Sequence, residues 1–175
     1  MSLFFTADTH FGHRSIARMR GFSSAAAMDE LLISNWNERV SEQDDVWVLG
    51  DFTMRAPRHP GHYLNRLNGR KYLVRGNHDH RQTLISKEWC EVVDYKVLDQ
   101  EQTRFVLFHY PMREWEGAWR GAIHLYGHVH GNLRPTAQSC DVGVDCHDYY
   151  PIRWDEIETY LEAFKGCVPE FFLGR

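Results

Sequence analysis

The stretch Leu3-Phe4-Phe5-Thr6-Ala7-Asp8-Thr9-His10 runs a short apolar, aromatic segment straight into an acid and a histidine. Leu3 to Thr6 reads as a buried strand, because the run is too short for a helix and its side chains suit a pleated, packed surface. The same arrangement recurs down the chain. Val46 to Leu49 leads into Gly50-Asp51, Tyr72 to Val74 into Gly76-Asn77-His78-Asp79, Phe105 to Phe108 into His109, and Ile123 to Tyr126 into Gly127-His128-Val129-His130. Open α/β sheets gather ligands outside the carboxyl ends of their strands. Packing alone gives no reason to put acids and histidines there.

Between the first two strands Met28, Leu31, Leu32, Asn35, Trp36 and Val40 fall mostly on one helical face. Trp154, Ile157, Tyr160, Leu161 and Phe164 form a second stripe, predicting a helix over about Trp154 to Phe164. Strands alternating with helices in the first half imply βαβ units. The segment Val92 to Phe108, with a polar turn near Asp99 to Gln102, reads instead as an antiparallel hairpin, so the sheet is expected to be mixed.

At 175 residues, with 43% hydrophobic and 25% charged residues, the chain suits one compact domain over residues 1–175 and is too short for two well-formed cores. A net charge of -4 gives no overall basic footprint for gripping duplex nucleic acid. Arginine outnumbers lysine 16 to 4, which fits either forked phosphate recognition or gene base composition. The amino terminus carries an acid at Asp8 and no basic stretch ahead of an apolar run, so it does not resemble a secretory signal, and no apolar run approaches the roughly 20 residues that span a bilayer. Cys90, Cys140, Cys146 and Cys167 have no C-x-x-C spacing, so the expectation is reduced thiols in a cytoplasmic protein.

Two divalent cations roughly 3.5 to 4 Å apart can clamp a phosphoryl group, acidify a shared water and stabilise an in-line displacement. Such a pair needs oxygen and imidazole ligands and one carboxylate able to bridge. Asp8 and His10, two apart, are expected on the same side of an extended strand end, and His128 and His130 repeat that spacing. Asp51 is the natural bridging carboxylate. Taken singly, Asp8 and Asp51 also suit helix or turn caps, Asn77 an Asx turn, and each histidine a packed position.

As an ordered set, D-T-H, G-D, G-N-H-D, H and G-H-V-H resemble the calcineurin-like metallophosphoesterase superfamily over residues 8 to 130. The resemblance implies an α/β fold of two packed mixed β-sheets flanked by helices. It also implies that Asp8, His10, Asp51 and His130 hold one metal, and Asp51, Asn77, His109 and His128 the other. Metal-bound hydroxide would attack phosphorus, and His78, uncoordinated, would protonate the leaving oxygen. The segment Asp141-Val142-Gly143-Val144-Asp145, followed by Tyr150-Pro151, resembles the closing strand and turn of small bacterial members.

Arg55 lies at the offset of the phosphate-binding arginine of the protein Ser/Thr phosphatase branch, though it also suits a solvated loop. Met54 stands where that branch has the aspartate that orients the histidine, leaving Asp79 or another group to position His78. The departure argues against a protein phosphatase. His13, five residues after Asp8, is a candidate substrate contact, whereas His59, His62, His80, His124 and His147 read as surface or packed residues. Trp115 and Trp119, in an expected loop over Pro111 to Ala122 with Arg113 and Arg120, either bury that loop or stack a substrate base.

The expected activity is therefore a binuclear hydrolase of phosphate esters, with a preference for phosphodiesters, nucleotides or nucleic-acid ends. Phosphomonoester hydrolysis and a non-catalytic scaffold are the alternatives. Imidazole and carboxylate donors without thiolate suit two manganese ions first, with iron, zinc, cobalt or nickel next.

Overall fold

The computed structural model describes residues 1–169. Its chain order is β1 (Leu3–Thr6), α1 (Arg14–Met19), α2 (Ala25–Arg39), β2 (Asp45–Val48), α3 (Pro60–Leu64), β3 (Arg70–Val74), α4 (Arg81–Leu84) and β4 (Trp89–Val93). Then follow β5 (Lys96–Gln100), β6 (Thr103–Leu107), β7 (Ile123–Tyr126), β8 (Ser139–Asp141), β9 (Ile152–Arg153) and α5 (Trp154–Glu162). The strands form two sheets, ordered β4-β3-β2-β1-β9 and β5-β6-β7-β8. In the first, β1 to β4 are parallel and β9 antiparallel. In the second, β5 and β6 form an antiparallel hairpin while β6, β7 and β8 run parallel.

Cover on both faces explains why the central strands are mainly apolar over their buried length. Phe4, Val46, Val48 and Leu73 face a core shared with helices α1, α2 and α3, where Met28, Leu32 and Trp36 meet them. Phe5, Trp47, Leu49 and Val74 face the other way, into the layer between the sheets, against Phe105, Leu107 and Leu125. Strands covered on both faces need apolar side chains at every position, so the polar alternation of a half-exposed strand is lost. The Phe5 and Phe105 rings meet at 5.3 Å across that layer, and burying a ring of this size contributes about 1.5 to 3 kcal/mol. Ile157 and Leu161 of α5 close the same core.

Helix α2 starts where Ser24 accepts a hydrogen bond from the Ala27 amide, satisfying one of the first-turn donors. The hairpin expected over Val92 to Phe108 is shorter than that span. Trp89–Val93 instead pairs parallel to β3 in the other sheet, because Val92 and Val93 are needed there to cover the apolar edge of Leu73 and Val74. The chain changes sheets between β4 and β5.

All the parallel strands point their carboxyl ends to one edge of the sandwich. The two sheets are tied there by a bridge between Ala7 and Gly143. The loops after β1, β2, β3, β6, β7 and β8 consequently converge, and every polar motif lies on one of them.

Candidate active site

The loops meet in an unusual backbone conformation. Asp8 (φ 56°), His10 (48°), Asp51 (55°), His128 (71°) and His130 (49°) all lie in the left-handed region, which non-glycine residues rarely adopt and which costs about 1 to 3 kcal/mol each. Asp8 and His10 therefore do not share a face by continuing an extended strand. They turn inward, held by hydrogen bonds from Asp8 N to Gly50 O (3.0 Å) and from His10 N to Asp51 O (3.0 Å). The same correction applies to His128 and His130. Strand alternation cannot aim two neighbouring ligands at a common point beyond the end of the ladder, and a left-handed turn can.

The glycines of the motifs are explained by crowding at that point. A Cβ on Gly50 would lie 2.4 Å from His109 Nδ1, and one on Gly127 would lie 2.4 Å from Asp8 Oδ2. Both contacts are far inside van der Waals distance. Only a residue without a side chain lets the histidine and carboxylate reach the centre.

Ligand atoms of Asp8, His10 and His130 lie within 4.8 Å of one another, and so do those of Asp8, Asp51 and His109. Asp51 stands between the histidines: its Oδ2 is 3.8 Å from His10 Nε2 and its Oδ1 3.6 Å from His109 Nε2. His109 Nδ1 sits 2.8 Å from the Leu49 carbonyl. A carbonyl only accepts, so that nitrogen carries the proton and Nε2 offers a lone pair to the centre. Asn77 Oδ1 completes this side, 3.0 Å from His109 Nε2 and 3.1 Å from His128 Nδ1. Tyr110 packs edge-on against His128 at 4.6 Å.

Three atoms at the centre are buried and have no hydrogen-bond partner among the described residues, namely Asp8 Oδ1 and both ring nitrogens of His10. Burial pushes the Asp8 carboxyl well above its usual range, and Asp51 and Asp141 add to the rise. Burial, with the Arg20 charge next, depresses His10 to about 2. Burial likewise lowers His109. The protein thus gathers carboxylates and neutral imidazoles in a place that by itself penalises the carboxylate charges. A divalent cation reverses that penalty, and the oxygen and nitrogen donors present fit such an ion.

Asp79 does not orient the His78 ring. Its Oδ2 accepts from the Asp51 and Gly76 amides (2.8 and 2.9 Å) and its Oδ1 from the Phe52 amide (2.9 Å). Both oxygens are committed to the backbone, and burial raises its pKa to about 7. Its work is to clamp the Gly50-Asp51 and Gly76-Asn77 loops together. His78 is held through its own amide, which donates to Asp51 Oδ1 at 2.8 Å, and its ring lies 5.8 Å from that of His10.

His13 is buried 6.2 Å from the His10 ring. Its Nδ1 accepts from the Ile16 amide and so caps α1, which leaves the proton on Nε2. Burial and then the Arg55 charge lower its pKa. Arg55 is exposed on the adjoining loop, at φ 50°. Trp115 is 7% exposed and donates to the Ala122 carbonyl, so it anchors its segment and is withdrawn as a stacking platform. Trp119, in a 3-10 turn over Ala118–Arg120, is 44% exposed and donates to Glu114. Among the unassigned histidines, His124 is packed and His59 caps α3.

Residues 1–124 match the calcineurin-like phosphoesterase family. The chain belongs to that family. Phosphoesterases of this family are hydrolases of phosphate esters, and the family implies divalent metal at a site of the kind just described. Across its length the chain is 30% identical over 174 residues to an uncharacterised protein of Methanocaldococcus jannaschii, covering 93% of each. It is 30% identical over 198 residues to the gene 66 protein of Mycobacterium phage D29, covering 94% of this chain and 98% of that one. A solved structure of a protein of unknown function from Aquifex aeolicus is similar at TM-score 0.73 and 26% identity, over 91% of this chain and 98% of that one. The two-sheet architecture is thus the family's own, as the motifs implied. No helix among the described residues is long and apolar enough to cross a membrane.

Proposed function

We propose that this phosphoesterase works with two divalent cations, Asp8, His10, Asp51 and His130 holding one and Asp51, Asn77, His109 and His128 the other. The observation that carries this reading is the orphaned donor set: Asp8 Oδ1 and both His10 nitrogens are buried without partners among the described residues. Such groups are costly in a folded protein. A cation at the centre would take Asp8 Oδ1 and the His10 nitrogen that faces the carboxylates, Nε2, 3.9 Å from Asp8 Oδ1 and 3.8 Å from Asp51 Oδ2. The split of Asp51, one oxygen toward His10 and the other toward His109, supports a bridging role. Manganese suits the imidazole and carboxylate donors first, with iron, zinc, cobalt and nickel as alternatives.

When bound, the ions supply Lewis-acid polarisation of the phosphoryl oxygens and acidify a water as nucleophile. His78 protonates the departing oxygen, tied by its amide to the bridging carboxylate. His13 presents Nε2–H to a phosphate oxygen, because its Nδ1 is occupied by the helix cap. Arg55 adds an exposed guanidinium on the same flank. Asn77 and His128 are exposed, so the site is open on that side, which supports a substrate with organic groups on both phosphate oxygens. Diesters, including nucleotide or nucleic-acid ends, are therefore preferred over monoesters. The four cysteines are free, which supports a reducing, cytoplasmic setting, and residues 1–175 act as one domain.

The test is turnover of a panel of aryl phosphomonoesters and phosphodiesters by protein stripped of metal and reloaded with manganese. Activity only after loading, with higher kcat/KM on diesters, is expected. Faster monoester hydrolysis overturns the substrate preference, and absence of turnover with every ion and ester overturns the enzymatic reading.

A further inference from the structure

His130 does not enter the site unsupported. Its Nδ1 lies 2.7 Å from Asp145 Oδ2. Asp145 is in turn gripped by one edge of a guanidinium, Arg20 Nε to Oδ1 at 2.7 Å and Arg20 Nη2 to Oδ2 at 2.6 Å. The same guanidinium reaches the opposite side of the centre, donating from Nη2 to the Asp8 carbonyl (2.7 Å) and from Nη1 to the Thr9 carbonyl (3.2 Å). The Arg20 side chain is only 2% exposed.

A largely desolvated Arg–Asp pair is a poor way merely to stabilise a fold, since apolar residues of similar volume do as well or better. Here its hydrogen bonds go to residues that carry ligands. Asp8, His10 and His130 are all in the left-handed conformation, and the His10 and His130 rings stack at 5.3 Å and 14°. A carboxylate accepting from Nδ1–H sets the imidazole tautomer, aims the Nε2 lone pair and raises its donor strength. A fork on the carbonyls of Asp8 and Thr9 holds the turn that aims the other two side chains.

We infer that Arg20 and Asp145 are positioning residues for one of the two cations, a single buried ion pair that sets the His130 ring and braces the Asp8 to His10 turn. The inference rests on the metal reading above. It assigns a role to a helix-terminal arginine and to an aspartate four residues beyond the end of β8, and it predicts an unequal effect on the two ions. His109, on the other side, takes its orientation from the Leu49 carbonyl and owes nothing to Arg20.

The experiment is calorimetric titration of metal-stripped protein with manganese, for the wild type, Asp145→Asn, Asp145→Glu and Arg20→Lys. Asp145→Asn forces an amide N–H against either Arg20 or the His130 ring. It should weaken one ion about 10- to 100-fold and leave the other within about 3-fold. Asp145→Glu keeps the charge and should recover part of that affinity. Arg20→Lys keeps the positive charge and loses the fork, and should again weaken one ion selectively. Near-UV circular dichroism of the metal-free proteins shows whether each is folded, so that a misfolded Asp145→Asn leaves the other two variants to decide. Two ions bound by Asp145→Asn as by the wild type overturn the inference, as does parallel loss of both ions across the folded variants. A wild type that binds no divalent ion overturns the metal reading and this role together, a result distinct from the other two.

Discussion

Replacing Asp51 by asparagine should make the metal-free protein more stable and the metal-loaded protein less so. Ligand oxygens of Asp8 and Asp51 lie within 4.8 Å of each other, and two unit charges at that separation repel by about 3 kcal/mol at an effective dielectric of about 20. Burial and the Asp51 charge raise the proton affinity of Asp8, which acts to reduce this repulsion, and an allowance of about 1 to 2 kcal/mol is kept for neutralising Asp51. In a chain of this size that raises Tm by roughly 2 to 8 °C. The amide can keep its oxygen on the His78 N–H, where Asp51 Oδ1 accepts at 2.8 Å, and its new NH2 then takes the place of Oδ2, facing the lone pair of His10 Nε2. With metal the sign reverses. Each ion present at about 100 times its Kd stabilises the wild type by about 2.7 kcal/mol, and the variant, lacking the bridging charge, forfeits most of both terms. Thermal melts of both proteins in chelator and in excess manganese at neutral pH should therefore cross. A variant that melts below the wild type in chelator refutes the repulsion argument, and equal metal-induced shifts in the two proteins refute the bridging role.

His78→Ala should keep both ions and lose roughly 10²- to 10⁴-fold in rate on alkyl esters, with a smaller loss on p-nitrophenyl esters; equal losses on the two ester types would assign His78 to binding instead. Gly127→Ala brings a methyl within 2.4 Å of Asp8 Oδ2 and 2.6 Å of Ala7 Cβ, and should lower manganese affinity measured by calorimetry, whereas unchanged affinity would show that the loop relaxes freely. Burial depresses His124 from 6.5 to about 4. The folded state thus binds this proton less readily than the unfolded state, so its stability is complete above pH 6.5 and falls as pH drops toward 4, by up to about 3 kcal/mol. Urea titrations across that range should show the loss in the wild type and a shallower one in His124→Gln, and parallel pH profiles would refute the assignment.

What could be read from the sequence divides along a physical line. Buried strands are legible because Leu3 to Thr6 or Ile123 to Tyr126 must be apolar on both faces, and the end of such a run marks the sheet edge. The pattern before His109 predicts too long a hairpin because Val92 and Val93 suit either sheet, and only the partners Leu73 and Val74 decide between them. Asp145 belongs to the closing strand-and-turn motif, but nothing in its sequence context points to a partner at the site. A carboxylate 125 residues from Arg20 in sequence acquires meaning only when the loop after β8 is folded against the end of α1. Tyr110 likewise becomes part of the site only through its packing on His128.

The assignment of Asp79 shows why a motif's spacing and its mechanics must be kept apart. Sequence adjacency to His78 made it a candidate for orienting that ring, yet neighbouring residues in a tight turn point away from each other. Asp79 turns back under the loop and accepts three amide hydrogens from Asp51, Phe52 and Gly76. A loop whose peptide groups face inward leaves N–H groups that must be paired, and one buried carboxylate pairs three of them. With those amides fixed, Asp51 is locked in its left-handed conformation, and its side chain is free to face His10 and His109 at once. The acid beside the histidine thus builds the place where Asp51 stands, and the His78 amide is held by the Asp51 carboxylate rather than by its neighbour.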